Sequence, residues 1–233
     1  MKIGIDIISD LNLGPEDEFD WEGKPTSLYL IIAGNISSDL VTVQRTLLHL
    51  SKLYQGVFYI SGNLEYDSMH FLKHRTNQLS KICKPIRNVA YLYKHVVILN
   101  GVAILGCNGW YGNHVKYETD LEEMHCQAQN IEDIEYLAGS LERLQLHLDV
   151  KKVVLVTNSV PGPGLFFGIE PAGIPDYMMP QKALEADSER KVSHWIYGSS
   201  NKIVDTKIGA ITYINNASFG KQPYWPQRIE IEV

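Results

Sequence analysis

The strongest constraint on this chain is a recurring unit, a short apolar run that ends abruptly in small or polar residues. Ile3–Ile8 stops at Ser9-Asp10, Leu28–Ala33 at Gly34-Asn35, and Val57–Ile60 at Ser61-Gly62-Asn63. Val153–Val156 stops at Thr157-Asn158-Ser159, and His194–Tyr197 at Gly198-Ser199. Runs of this length bounded by turn residues read as buried strands. Val96–Leu105 is interrupted by Asn100-Gly101, the dipeptide of a tight hairpin turn, and so reads as two strands. Ile203–Asp205, Ala210–Ile214 and Ile229–Val233 read as late antiparallel strands.

Helical spacing fills the gaps between the early runs. After Asp39, a good N-cap, Val41, Leu47, Leu48 and Leu53 form an apolar stripe. Glu118–Leu148 is the longest helical segment, with Leu121, Met124, Ala128, Ile131, Ile134, Leu137, Leu141 and Leu144 over an acidic outer face. Pro161–Pro180, rich in Gly and Pro, predicts a long surface loop. Strands alternating with helices predict an α/β fold whose ligands sit beyond the carboxyl ends of the strands. No repeat or low-complexity linker divides the chain, so one domain over 1–233 is expected.

Composition narrows the function classes. Hydrophobic residues make up 45% and charged residues 21%, the balance of a globular protein rather than a disordered or fibrous one. The net charge of −6 gives no overall electrostatic footprint for nucleic acid or an anionic membrane. Three cysteines without CxxC spacing argue against a disulfide framework or a structural zinc site and fit a reducing compartment. Without signal-peptide layout or a membrane-spanning run, the chain is expected to be cytoplasmic. No P-loop, dinucleotide fingerprint or nucleophile elbow occurs. Eight histidines and many Asp and Asn residues leave a metal enzyme open.

The polar strand ends, taken in order, resemble the motifs of the calcineurin-like metallophosphoesterases. Asp10-Leu-Asn12 resembles their D-x-H, Gly34-Asn35 their G-D, and Gly62-Asn63-Leu64-Glu65 their G-N-H-[DE]. Thr157-Asn158 stands where the family has T-H, and Gly198-Ser199-Ser200-Asn201 where it has G-H-x-H. The resemblance implies a four-layer α/β/β/α sandwich of two mixed sheets. It also implies two divalent metals about 3.5–4 Å apart that activate a hydroxide for attack on a phosphoester.

The departures all run one way. Asn12, Asn158, Ser199 and Asn201 stand at histidine positions, Asn35 at the bridging aspartate, and Leu64 at the proton-donating histidine. Of the implied ligands, Asp10 and Asn63 remain. One carboxylate cannot hold two divalent cations together against their mutual repulsion, and neutral amides are poor substitutes for imidazole. The expectation is therefore an inactive phosphoesterase relative with no metal cofactor, acting by binding a protein or a small polar ligand. Scaffolding members of the family, such as a retromer subunit, give that a precedent.

Two descriptions of the remaining pocket stay open. In one, its Asn and Ser residues merely satisfy turns. In the other, Asp10, Asn12, Asn35, Asn63, Asn158, Ser199 and Asn201 line a neutral, donor-rich pocket for a polar ligand such as a nucleotide. The alternative from another class is a mononuclear or residual phosphoesterase that recruits a metal through Asp10, Asn63 and a further histidine, although His114 and His194 read better as an ordinary rim and an ordinary packed histidine. Leu165, Phe166 and Phe167 between glycines, with Tyr224 and Trp225 of the Pro-Tyr-Trp-Pro segment, form a candidate partner surface.

Overall fold

The structure is a computed structural model that describes residues 1–17, 19, 21, 25–66, 72–111, 120–162, 165, 178, 180–200, 203–218 and 224–233. Each apolar run is a strand. Lys2–Ile8 (β1), Tyr29–Ala33 (β2), Gly56–Ile60 (β3), Val89–Tyr91 (β4) and the late Gln227–Glu232 (β11) make one sheet, in the order β11-β1-β2-β3-β4. His95–Leu99 (β5), Val102–Gly106 (β6), Lys152–Val156 (β7), Val192–Ile196 (β8), Val204–Ile208 (β9) and Ile211–Asn215 (β10) make the other, in the order β5-β6-β7-β8-β10-β9. Both are mixed. β1 to β4 run parallel with β11 antiparallel on β1, and β6, β7, β8 and β10 run parallel between antiparallel β5 and β9.

Because the parallel strands are buried on both faces, their side chains divide between two cores. Ile5, Ile7, Ile31 and Phe58 meet Ile104, Val154, Ile196 and Ile214 between the sheets. Outward-facing Ile8, Leu30, Val57 and Tyr59 pack with Val43, Leu47 and Leu50 of Leu40–Ser51 (α1) and Leu79 of Leu72–Cys83 (α2). On the far side Leu105, Leu155 and Trp195 pack with Leu137, Leu141 and Leu144 of Asp120–Leu146 (α3) and Ala183 of Gln181–Glu185 (α4). The four-layer sandwich is thus the observed architecture. Among the described residues, no helix is long and apolar enough to cross a membrane.

Local chemistry sets the element ends. Asp39 caps α1 by accepting from the Thr42 amide at 2.7 Å. Asn100 and Gly101, with φ of 47° and 86°, turn the chain between β5 and β6. Several expectations are corrected. Val41, Leu48 and Leu53 are exposed, so the buried stripe of α1 is Val43, Leu47 and Leu50. Leu121, Met124 and Ile131 are exposed too, because the face that α3 buries is that of Cys126, Asn130, Asp133, Leu137, Leu141 and Leu144. The late strands do pair antiparallel, β9 with β10 and β11 with β1, but β10 also lies parallel to β8 on its other side. Within Pro161–Pro180, Pro161, Leu165 and Met178 are buried and Gly162 and Pro180 half-buried, while the rest of the expected surface loop lies outside the described residues. Short β4, basic α2 and short α4 are elements that periodicity did not reveal.

Candidate functional site

The parallel strands end on one side of the sandwich, and every end except that of β4 delivers a polar residue there. Asp10 follows β1, Asn35 β2, Asn63 β3, Asn108 β6, Asn158 β7, Ser199 β8 and Asn216 β10. The two sheets join at this end, where the Ser9 amide donates to Asn216 O and the Ser218 amide to Ser9 O. Three of these junctions hold left-handed residues, with φ of 54° at Asp10 and 49° at Asn12 after β1, 58° at Asn35 and 51° at Ser199. Asp and Asn tolerate it best among non-glycine residues. Backbone demand thus accounts for part of the Asp and Asn content of the motifs.

The side chains then bond to one another. Buried Asp10 accepts from Asn35 Nδ2 at 2.7 Å, from Ser9 Oγ at 2.7 Å, and from the Ser199 amide at 3.1 Å to both oxygens. Asn35 Nδ2 also donates to Ser199 Oγ at 3.2 Å, and its Oδ1 accepts from the Leu64 amide at 3.0 Å. Asn158 accepts from Ser199 Oγ at 2.9 Å and the Asn63 amide at 3.2 Å, and donates to Ala33 O at 3.1 Å. Ser199 Oγ has one proton, so its 3.4 Å approach to Asn63 Oδ1 is secondary to the shorter bond. Burial pushes the Asp10 carboxyl above its usual range, against the hydrogen bonds from Asn35, Ser9 and Ser199.

The sequence-predicted residues are brought together in part. Asp10, Asn35, Asn158 and Ser199 form the closed network, while Asn63 and Leu64 join it through backbone amides. Asn12 is exposed, and it is its main-chain N–H that bonds to Asn35 O. Asn201, Phe166, Phe167 and His114 lie outside the described residues. Leu165 and Tyr224 are buried in the outer cores, which removes them from a partner surface because packing already covers them. Trp225 is 63% exposed. His194 is half-buried mid-sheet on β8 and bonds to Ser193 Oγ at 2.9 Å, away from the strand ends.

Sequence reasoning missed the brace beneath the network. Glu65 is fully buried and accepts from the Gly62 amide at 2.7 Å, the Asn35 amide at 3.1 Å and the Ile36 amide. Burial raises its carboxyl to about 7 although three amides favour the anion. A carboxylate three residues beyond a strand-ending glycine was the available signal, since that spacing lets a side chain reach back to the turn. Asp133 of α3 does the same beyond β6, accepting from the Gly109 and Trp110 amides at 2.8 and 3.2 Å.

Glycines make the crowding feasible. A Cβ on Gly198 would stand 2.2 Å from Ala33 O and 2.9 Å from Asn158 Nδ2. One on Gly62 would stand 2.1 Å from Asn35 Oδ1. Gly198→Ala is therefore expected to destabilise the fold by about 2–3 kcal/mol through overpacking against backbone. Urea denaturation measures this, and a change under about 0.5 kcal/mol, the scale of an ordinary surface substitution, would show that the junction is loose.

The donor set can now be tested against a dinuclear metal centre. Asp10 supplies the charge, and each of its oxygens already accepts hydrogen bonds. The remaining groups are amides and a hydroxyl engaged with each other. Among the described residues no group of three or more His, Cys, Asp or Glu converges anywhere. Such a set does not fit two divalent cations, which need several anionic or imidazole ligands to offset their repulsion.

No family model matches the chain, and no curated protein matches it. Solved structures do. Phosphopantetheinyl hydrolase from Mycobacterium tuberculosis is similar over 98% of this chain and 96% of its own, with a TM-score of 0.63 at 15% identity. A Staphylococcus aureus protein designated a 5′-nucleotidase is similar over 100% of this chain and 51% of its own, with a TM-score of 0.55 at 13% identity. GAP50, the anchor in the inner membrane complex of Plasmodium, is similar over 94% of this chain and 72% of its own, with a TM-score of 0.53 at 8% identity. These likenesses are of fold. The chain has the calcineurin-like metallophosphoesterase fold, and the degenerate motifs lie where that fold collects its strand ends.

Proposed function

We propose that this chain is a non-hydrolytic protein of the metallophosphoesterase fold that works by binding a protein or polar ligand, without a resident metal pair. The observation that supports this most is the closure of the network at the strand ends. Asn35, Asn158 and Ser199 satisfy one another and Asp10, in the place where a phosphoesterase needs charged ligands with free lone pairs. Leu64 adds neither a ligand nor a transferable proton. Two of the similar folds are named for hydrolysis, whereas GAP50 is named an anchor, so the fold alone is compatible with either role.

The test combines metal analysis of the purified chain with turnover of an aryl phosphodiester in Mn²⁺. The expected result is substoichiometric metal and no turnover above background. Stoichiometric metal together with turnover that Asp10→Ala abolishes would replace this reading with a phosphoesterase.

A further inference from the structure

Charge along this chain is strongly segregated. Residues 68–117 contain no Asp or Glu and seven Lys or Arg, although the whole chain carries 27 acidic residues and a net charge of −6. The fold gathers much of that basic stretch at one margin. α2, the turn after it, β4 and the start of β5 succeed one another there, with Lys73, Lys84, Arg87 and His95 exposed. A groove of about 460 Å³ separates α2 from the edge of β4, lined by Thr76, Asn77, Ser80, Lys84, Tyr91 and His95, with no acidic residue in its wall. A second groove continues it past Lys73, and Glu132 there is neutralised by Lys94 at 2.8 Å.

The backbone along this groove is open. β4 ends its sheet, and among the described strands none pairs with its outer side. The Val57 amide bonds to Asn88 O and the Leu92 amide to Tyr59 O, with Val57 opposite Val89 and Tyr59 opposite Tyr91. Parallel pairing in that register turns the amide groups of Ala90 inward and those of Val89 and Tyr91 outward. The Val89 N–H is taken by Ile86 O. The Val89 carbonyl and both groups of Tyr91 therefore face the groove.

We propose that this edge is the docking strip for an acidic, extended peptide segment of a partner protein. The segment adds to the first sheet as a strand beside β4, and its carboxylates meet Lys73, Lys84 and His95. Main-chain pairing supplies the affinity and charge the selectivity. Nucleic acid is the competing polyanion, but base stacking needs free aromatic faces. Here the Tyr91 ring stacks with Tyr59 at 5.7 Å and Tyr93 at 6.1 Å, and its hydroxyl bonds to Ser61 at 2.7 Å. The strip names a partner class for the binding role proposed above and so rests on that reading.

Fluorescence anisotropy tests it on the whole chain with a labelled peptide of about ten residues alternating Glu and Val, long enough for one strand. The peptide is expected to bind, and the double variant Lys73→Glu/Lys84→Glu to weaken it by about tenfold or more. Methylating alternate backbone nitrogens of the peptide, which keeps its charge, is expected to weaken it similarly. Lys182→Glu on α4 is the control and should leave binding unchanged. Equal binding of the methylated peptide, tighter binding of an oligothymidylate, or no binding of any probe would overturn the proposal. A chain that binds the peptide yet hydrolyses phosphodiesters would sink the non-hydrolytic reading and leave the docking strip standing.

Discussion

Replacing Asn35 by Asp is expected to cost about 3 kcal/mol of stability at pH 8, because it sets a second carboxylate against a buried one. Asn35 Nδ2 now stands 2.7 Å from Asp10 Oδ1 and donates to it. The substitution turns that donor into an anionic oxygen, while the Leu64 amide still satisfies the other one. The two carboxyls can relieve the repulsion by sharing a proton, so the loss should shrink towards pH 5. Chemical denaturation at both pH values, with and without Mn²⁺, measures it. Full recovery of stability with Mn²⁺ at pH 8 would mean that the surrounding amides can hold a metal once a bridging carboxylate is returned, which the proposed reading does not allow.

Glu65→Ala should be at least as damaging. It leaves the amides of Asn35, Ile36 and Gly62 buried without an acceptor, and each unsatisfied donor costs about 1–3 kcal/mol. Glu65→Gln keeps an acceptor and should be milder, and it separates packing from charge. Because burial lifts the folded carboxyl to about 7 from 4.5, the native chain holds this proton more tightly than the unfolded chain. The associated stability is complete below about pH 4.5 and is lost as pH rises through about 7. Asp133, raised to about 6 from 3.8 by burial, adds a loss at lower pH. The melting temperature should therefore fall between pH 5 and 7.5, and less steeply in Glu65→Gln. An identical slope in the two proteins would show that Glu65 does not titrate in that window.

The strand ends were readable in the sequence because chain reversal after a buried strand leaves few residue types to choose from. The same fact limits what the motifs say. Asn35 and Asn12 look like lost ligands, yet both occupy left-handed positions that Asn fills for backbone reasons. What periodicity misjudged was which face meets a neighbour. Leu121, Met124 and Ile131 keep helical spacing on the outer face of α3, whose inner face there is Cys126, Asn130 and Asp133, and Val41 and Leu48 keep it on the wrong side of α1. α2 escaped notice because Leu79 and Cys83 are its buried side chains among many basic and polar ones. β4 has three residues, too few for an alternating pattern. Glu65 lies inside the Gly62–Glu65 motif, but spacing carries no sign of its burial.

The pairing of β1 with β11 bears on how this protein is made. Residues 2–7 find their antiparallel partners at residues 227–232, so partners more than 200 residues apart lie within a single ladder. During synthesis β1 emerges about 220 residues before the strand that closes that side, with Ile3, Ile5 and Ile7 ready to stick to other chains. Non-local pairing of this kind slows folding and prolongs the exposure of unpaired edges. A ribosome-bound chain truncated before Gln227 should therefore depend more on chaperones than the same chain refolded whole.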